Sequence, residues 1–114
     1  MECYCDSYSY PYRAEARKAR KAHRCSECFK PIPAGSRYEY ATGKCEGEWF
    51  SAYTCERCLD LREYVQAHVP CLCWEHGNAN EEIIETAREW AHEAPGLLFG
   101  ALRRQVRIDR ASLT

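Results

Sequence analysis

The alternation of apolar and polar positions predicts a β-hairpin near the middle of the chain. In "SRYEYAT" (36–42), Tyr38 and Tyr40 share one face of an extended strand, and "EWFSAYT" (48–54) is rich in the aromatic residues that favour strands. The segment "GKCEG" (43–47) lies between them and has glycine at both ends, as hairpin loops often do. We therefore predict two antiparallel strands joined by a short loop.

The period of the apolar positions becomes helical directly after this hairpin. The segment "CLDLREYVQAHV" (58–69) carries apolar residues at roughly helical spacing and ends before Pro70, which cannot continue a helix. The predicted helix follows the second strand without a linker, so Cys58 is expected in its first turn.

Two more helices are predicted near the C-terminus. In "NANEEIIETAREWAHEA" (78–94) one apolar stripe runs along the segment, and Asn78 followed by Glu81 resembles a capping box. A Pro-Gly pair ends this helix, and "LLFGALRRQVRI" (97–108) forms the next, with its arginines outward. The residues of this last helix that we predict to face inward are Leu98, Phe99, Leu102 and Val106.

The first third of the chain has a weaker pattern. Residues 1–12 are rich in tyrosine and serine and are predicted to be irregular. Residues 13–22 alternate alanine with basic residues, which favours a helix, but the segment is short and leads directly into a cysteine pair, so extended structure is the alternative. The segment "PIPAG" (31–35) is typical of a turn.

Two C-x2-C pairs, "CSEC" and "CERC", indicate a metal site. The N-terminus lacks the basic start and apolar run of a secretory signal, so we expect the reducing cytoplasm, where disulfide frameworks are rare. Nine cysteines cannot all pair, and redox-active or buried thiols are the other alternative. Two such pairs supply the four tetrahedral thiolates that zinc prefers. The predicted ligands of this first site are Cys25, Cys28, Cys55 and Cys58.

The order of these elements predicts the fold class. A cysteine pair, a turn, a hairpin, a second cysteine pair and a helix follow one another, as in an α+β treble-clef zinc finger. We expect Arg24, Lys30 and Arg57 to offset the excess thiolate charge.

The remaining cysteines suggest a second zinc ion per chain. Two C-x-C pairs can also close a tetrahedron, although their spacer is shorter than the usual one. His76 is a substitute ligand, and Cys45 in the hairpin loop is expected to be a free surface thiol. The predicted ligands of the second site are Cys3, Cys5, Cys71 and Cys73.

These sites define two predicted parts of the chain. Residues 1–77 form the zinc-binding domain, with the finger at 23–69 and with the N-terminus and 71–76 tied together by the second zinc ion. Residues 78–114 form a two-helix C-terminal extension that packs on the finger.

The sequence argues against an enzyme. A closed shell of four thiolates leaves no position for water or substrate, so both zinc ions are expected to be structural. The H-x-E motif of zinc deaminases, the histidines of a His-Asn-His nuclease, a phosphate-binding glycine loop and a serine-nucleophile motif are all missing from the sequence. We expect no small-molecule substrate, and no apolar stretch approaches the roughly 20 residues of a membrane span.

Charge and aromatic residues leave two kinds of partner open. The net charge of −1 conceals a basic segment at 12–24, an acidic stretch at 46–93 and arginines near the C-terminus. The basic segment and the tyrosines suit nucleic acid, whereas a sequence pI near 6.4 and the surplus of aromatic residues suit a protein partner. The candidate partner-binding residues are Arg13, Arg17, Lys18, Arg20, Lys21, Arg24, Trp49 and Phe50.

The cysteine pairs also belong to a longer pattern. The stretch "ARKAHRCSECFKPIPAGSRYEYATGKCEGEWFSAYTCERCLDLREYV", with "CLCWEHG" and "EAPGLLFGALRR" after it, resembles a family of small proteins encoded by bacteriophage and prophage genomes. The resemblance covers most of the chain and implies a phage origin, a bacterial host cytoplasm and a metal, but no mechanism. We therefore expect a non-enzymatic accessory protein that binds a protein partner such as host defence or transcription machinery, with nucleic-acid binding through 13–24 as the alternative.

Overall fold

The structure is a computed structural model that describes residues 9–45 and 47–111, with side chains described for 12–44 and 47–111. Within these ranges the chain is a small α+β protein with a three-stranded sheet, a two-stranded ribbon and three helices. The strands are β1 (Ser9–Lys18), β2 (His23–Arg24), β3 (Pro31–Ile32), β4 (Arg37–Cys45) and β5 (Glu48–Cys55). The helices are α1 (Glu56–Gln66), α2 (Ala79–Glu89) and α3 (Leu97–Arg110).

The predicted helix at 13–22 is wrong, and the extended alternative is confirmed. Strand β1 pairs antiparallel with β4, from Arg13 opposite Thr42 to Lys18 opposite Arg37. The sheet order is β1-β4-β5, so β1 lies at an edge. Its alternation of alanine with charged residues has a period of two, and pairing with β4 outweighs the modest helical propensity of alanine.

The hairpin between β4 and β5 is confirmed, with a tighter loop than predicted. The strands continue to Cys45 and resume at Glu48, which are paired with each other. Gly47 has φ of 85°, a left-handed conformation that glycine adopts at no steric cost. The side chain of Cys45 lies outside the described part, so its predicted role as a free surface thiol stays a prediction.

The two faces of the sheet differ in what covers them. Helix α1 packs on one face, where the guanidinium of Arg62 donates to both carboxylate oxygens of Glu39 at 2.9 Å. Side chains alternate along a strand, so the opposite face carries Tyr38 and Tyr40 of β4 and Tyr53 of β5, with Arg13, Glu15 and Arg17 of β1 beside them. We call this second surface the tyrosine face.

The outer edge of β5 is occupied by the segment that contains the first cysteine pair. The amide of Ser26 donates to the carbonyl of Tyr53 at 2.7 Å, and the amide of Tyr53 donates to the Ser26 hydroxyl at 3.0 Å. Two short strands, β2 and β3, flank this segment and pair His23 with Ile32. The first cysteine pair is thereby held against the sheet.

Helix α1 begins immediately after β5, as predicted, and Cys58 lies in its first turn. Leu61 and Val65 are fully buried, and the buried Arg62 neutralises Glu39. The guanidinium of Arg62 also lies over the ring of Trp74, 4.5 Å from its centre. Helix α1 is therefore joined to the sheet by an ion pair and to the "CLCW" segment by a cation–π contact.

Helix α2 is shorter than predicted and has a different cap. It ends at Glu89 instead of continuing to residue 94, and the side chain of Asn78 makes no capping hydrogen bond. The capping box is therefore wrong. The carboxylate that accepts from the start of this helix belongs to Glu27, far away in the sequence.

Helix α3 forms as predicted, but it turns a different face to the core. Leu97, Ala101 and Ile108 are buried, whereas Phe99 is 68% exposed. The reason lies at Gly100, which packs so closely on α1 that an added Cβ would lie 2.0 Å from the Tyr64 hydroxyl. The predicted inward residues that the structure places on the exposed side are Phe99, Leu102 and Val106.

One hydrophobic core joins the predicted finger to the predicted extension. Cys25, Cys55 and Cys58 belong to the same cluster of buried residues as Ile83 and Leu97. All three helices contact one another in pairs, with the closest packing between α1 and α3. Of the three helices, α1 makes the main contacts with the sheet, and α2 and α3 pack on α1 and on each other.

Candidate metal centre

The two C-x2-C pairs converge from different elements. Cys25 and Cys28 lie in the turn between β2 and β3, where the amide of Phe29 donates to the carbonyl of Cys25 at 3.0 Å. Cys55 is the last residue of β5, and Cys58 lies in the first turn of α1. The strand-to-helix junction thus places the second pair opposite the first.

The four sulfur atoms have the spacing of a tetrahedral metal site. All Sγ atoms of Cys25, Cys28, Cys55 and Cys58 lie within 4.8 Å of one another. Two of the separations are 3.8 Å (Cys25 to Cys58) and 3.7 Å (Cys28 to Cys55). A tetrahedron with zinc–sulfur bonds of about 2.3 Å has edges of about 3.8 Å. The group can therefore hold a metal ion with little movement.

Neutral donors surround these sulfurs. The amides of Glu27 and Cys55 each donate to Cys25 Sγ at 3.4 Å, and the side-chain amide of Asn80 donates to Cys58 Sγ at 3.2 Å. Hydrogen bonds to a thiolate favour its charged form. Asn80 belongs to α2, so the helical extension contributes directly to the surroundings of the metal site.

The thiols titrate as one group. Hydrogen bonds from Cys28, and then from Cys55 and Cys58, hold the pKa of Cys25 far below its ordinary value. The hydrogen bond with Cys25 raises the pKa of Cys28, but the bonds from Cys55 and Cys58 outweigh this effect and lower it to about 7. Hydrogen bonds to Cys25 and Cys28 raise the pKa of Cys55 and of Cys58. A bound cation would favour the ionised form of all four thiols.

The basic residues expected beside the sulfurs have other partners. Arg24 Nη1 donates to the carbonyl of Phe29 at 2.6 Å, and Lys30 Nζ donates to the carbonyls of Asp109 and Ala111 at 2.6 and 2.9 Å. Arg57 Nε is buried and has no hydrogen-bond partner within the described ranges. Arg24 therefore stabilises the first cysteine turn and Lys30 binds the end of α3. The expectation that these cations offset the thiolate charge stays a prediction.

Glu27 is a functional contact that the sequence did not reveal. Its carboxylate is almost completely buried and accepts from the amide of Gly77 at 2.8 Å and from that of Ala79 at 3.0 Å. His76 Nδ1 lies 3.5 Å from the same carboxylate, and His76 Nε2 is hydrogen-bonded to the Tyr12 hydroxyl at 3.1 Å. The residue between the first two ligands thus anchors the start of α2. An acid within a C-x2-C spacer was the only signal available.

The second metal site stays a prediction. Cys3 and Cys5 lie outside the described residues, and the Sγ atoms of Cys71 and Cys73 are 3.8 Å apart, too far for a bond between them. His76, proposed as a substitute ligand, contacts Glu27 and Tyr12 through its two ring nitrogens. In the described part of the chain, the first site is the only cluster of three or more candidate ligands.

The candidate partner-binding residues lie on two surfaces. Arg13, Arg17, Lys18, Arg20, Lys21 and Arg24 are all exposed, on β1 and on the chain that leads to the first cysteine pair. Trp49 is 66% exposed at the tip of the hairpin. Phe50 is half-buried against Tyr12 and His76, with ring centres 6.4 and 6.1 Å away, so it contributes to packing as well as to the surface.

Comparison with known proteins gives no further assignment. No protein-family model matches the chain, and no curated protein or solved structure matches it either. The resemblance to phage-encoded proteins therefore stays a prediction. Among the described residues, no helix combines the length and the apolar character that a membrane crossing requires.

Proposed function

We propose that the four clustered cysteines bind one structural zinc ion in a treble-clef arrangement. The sulfur separations of 3.7 and 3.8 Å match the edges of a zinc–thiolate tetrahedron, and the order of turn, hairpin, strand end and helix start is that of a treble clef. Such a shell is full, which agrees with a role in binding and not in catalysis.

We also propose a second zinc ion bound by Cys3, Cys5, Cys71 and Cys73. Elemental analysis should then give about two zinc ions per folded chain. Cys73→Ser should remove one of the two and leave the other in the four-sulfur site. A content of one zinc ion in the natural sequence, unchanged by Cys73→Ser, would contradict the second site and leave the first intact.

The function that we propose is the binding of a protein partner through α3. The observation that carries this proposal is that α3 is apolar on two opposite faces. Leu97, Ala101 and Ile108 pack inward, whereas Phe99, Leu102 and Val106, spaced three and four residues apart, form an exposed line on the other side. We call this exposed line the α3 ridge.

The α3 ridge has the composition of a protein-binding surface. The exposed fraction is 68% for Phe99, 40% for Leu102 and 42% for Val106, so these apolar side chains are not used to fill the core of the chain. The guanidinium of Arg103 lies 5.8 Å from the centre of the Phe99 ring, and Arg110 is exposed farther along the helix. Aromatic and arginine side chains dominate binding hot spots. A partner with apolar residues bordered by carboxylates fits this surface best.

The biological setting is part of the proposal. A compact phage-encoded protein that acts in the cytoplasm of a bacterial host would use such a surface to bind and modulate host machinery. The resemblance of the sequence supports this setting, and the α3 ridge supplies a surface for it.

Affinity purification with matched variants tests the proposal. The tagged protein is compared with a triple variant of the ridge, Phe99→Ser, Leu102→Ser and Val106→Ser, in lysate of a bacterial host. A control triple variant on the exposed side of α2, Glu85→Ser, Arg88→Ser and Glu89→Ser, changes the same number of helical surface residues.

The expected result is a specific protein retained by the natural chain and by the α2 control but lost with the ridge variant. Sedimentation of the purified chain shows whether that partner is a second copy. If the ridge variant retains the same proteins while its zinc content and helix content are normal, the α3 ridge is not the binding surface. The alternative, nucleic-acid binding, involves a separate surface.

A further inference from the structure

The basic segment and the tyrosines, which are separate in the sequence, meet on one side of the sheet. Arg17 of β1 lies opposite Tyr38 of β4, and its guanidinium lies 4.2 Å from the centre of the Tyr40 ring. Tyr40 and Tyr53 are opposite each other on adjacent strands, with ring centres 5.3 Å apart. The tyrosine face therefore combines half-exposed aromatic rings with cations along one edge.

The rings of this face form a continuous group. His23 stacks on Tyr53 with ring centres 4.8 Å apart and an angle of 16° between the planes, and it contacts Tyr38 at 5.2 Å. Tyr38 is buried beneath these neighbours, whereas Tyr40 and Tyr53 keep part of their surface exposed. The packed rings of His23 and Tyr38 thus lie against Tyr53, and Tyr53 and Tyr40 are the tyrosines of this group that stay partly exposed.

The cations of β1 and of the turn that follows it are mostly not paired with carboxylates. Glu15 forms an ion pair with Arg17, which removes one positive charge. Within the described part of the chain, the other four exposed cations have no ion pair with a carboxylate. The chain as a whole has a net charge of −1, but its acids are concentrated at 46–93. The four uncompensated cations are Arg13, Lys18, Arg20 and Lys21.

Two concavities run along β1 and share Arg17. One, of about 1020 Å³, is lined by Arg17, Lys18, Arg20 and Lys21 together with His23 and Tyr38. The other, of about 230 Å³, is lined by Arg13 and Arg17 together with Tyr40. Cations and rings, with the carboxylate of Glu15 among them, therefore line one extended surface instead of a closed pocket.

We propose that the tyrosine face binds single-stranded nucleic acid. Basic side chains that follow an extended line contact successive phosphates, and half-exposed aromatic rings stack on bases. Stacking requires the flat face of a base, which a duplex keeps covered by its neighbours, so an unpaired strand fits this surface and a duplex does not. This activity is additional to partner binding by the α3 ridge and uses different residues.

Fluorescence anisotropy with defined oligonucleotides tests this proposal. The probes are labelled oligouridine and oligodeoxythymidine of about 12 nucleotides and a duplex of the same length. We expect binding of the single strands, with at least tenfold weaker binding of the duplex. With four phosphate contacts, raising salt from about 50 to about 200 mM should weaken single-strand binding about 50-fold.

Two pairs of variants separate stacking from charge. Tyr40→Ala should weaken single-strand binding about tenfold, whereas Tyr40→Phe, which keeps the ring, should bind nearly as the natural chain does. Arg20→Glu with Lys21→Glu should abolish measurable binding at moderate salt. Arg103→Glu with Arg107→Glu changes the net charge by the same amount on α3 and should leave binding within about threefold.

Several outcomes would overturn the proposal. One is that single strands do not bind at low salt. A second is that duplex and single strand bind equally, and a third is that Tyr40→Ala binds as the natural chain does. Zinc content and the thermal transition identify any variant that fails to fold. If Tyr40→Ala does not fold, the double variant Arg20→Glu with Lys21→Glu on the exposed turn still tests the proposal. The ridge triple variant should bind oligonucleotides normally, so failure of one proposal is distinguishable from failure of the other.

Discussion

The region around the four clustered cysteines and the region where α2 packs on α3 are stabilised by different interactions. We call these regions the cysteine side and the helical side. Around Cys25 and Cys55 the chain is mostly turns and strand ends, with Ile32 as one of few fully buried apolar residues nearby. Between α2 and α3 the contacts are made by apolar side chains such as Ile83 and Leu97. Apolar burial organises the second region, whereas four clustered sulfurs that can hold a metal ion lie at the centre of the first.

The junction between the two regions is polar. Glu27 accepts two amides at the start of α2, Asn80 donates to a ligand sulfur, and Lys30 binds carbonyls at the end of α3. Each of these contacts links the cysteine side to a helix end. We therefore predict that a substitution which destabilises one region also destabilises the other, because these few hydrogen bonds connect them.

Loss of the metal should have the largest effect. Cys25→Ser removes the most buried ligand, and structural zinc contributes on the order of 10 kcal/mol to folding, so we expect the hairpin and α1 to unfold. Circular dichroism and zinc analysis measure this change, and an excess of chelator should reproduce it. Cys45→Ser, the same substitution outside the four-sulfur cluster, is the matched control. A Cys25→Ser protein with normal zinc content and structure would contradict the proposed dependence of the cysteine region on a bound metal.

Truncation of the apolar core should have the next largest effect. Leu97→Ala creates a cavity where α3 meets the core, and we expect a loss of about 2–5 kcal/mol in the free energy of unfolding with zinc content unchanged. Leu102→Ala, the same substitution on the exposed side of α3, should cost less than about 0.5 kcal/mol. Chemical denaturation compares the two variants, and equal losses would show that the face of α3 is wrongly assigned.

The junction should contribute less than either region. Glu27→Ala removes a charged acceptor from the amides of Gly77 and Ala79, which should cost about 1–3 kcal/mol. Hydrogen exchange should become faster at these two amides before the rest of α2 is affected. Glu85→Ala, an exposed carboxylate on the same helix, serves as the control, and unchanged exchange in the Glu27 variant would remove Glu27 from the junction.

The smallest effect is expected at the residue that the sequence predicts as the cap. Asn78→Ala should change the free energy of unfolding by less than about 0.5 kcal/mol, because its side chain makes no capping hydrogen bond. A genuine N-cap would cost about 1 kcal/mol. Thermal unfolding of Asn78→Ala and of Glu27→Ala shows which residue caps α2. We expect the larger loss of stability in the Glu27→Ala variant.

The sequence revealed features that depend on local spacing. A C-x2-C pair places two sulfurs on one side of a turn, so the cluster of Cys25, Cys28, Cys55 and Cys58 followed from spacing alone, as did Cys58 in the first turn of α1. The hairpin followed from its alternation and its glycines for the same reason.

Features that depend on distant contacts were missed. The apolar pattern of α3 fits two opposite faces, and the choice is made by the close approach of Gly100 to Tyr64, which no pattern within α3 encodes. Glu27 joins residues 50 and 52 positions away, so nothing near α2 identifies it as the cap. Residues 13–22 are compatible with a helix or a strand by their own sequence, and the pairing of β1 with β4 selects the strand.

The way in which Ser26 covers the outer edge of β5 has a consequence for handling the protein. At the other edge, charged residues of β1 discourage a second sheet from adding on, as lysine and arginine commonly do at exposed edges. The β5 edge, in contrast, is protected only while the first cysteine turn stays folded over it. Demetallated protein should therefore precipitate by strand-to-strand association, and a chelator should be kept out of its purification.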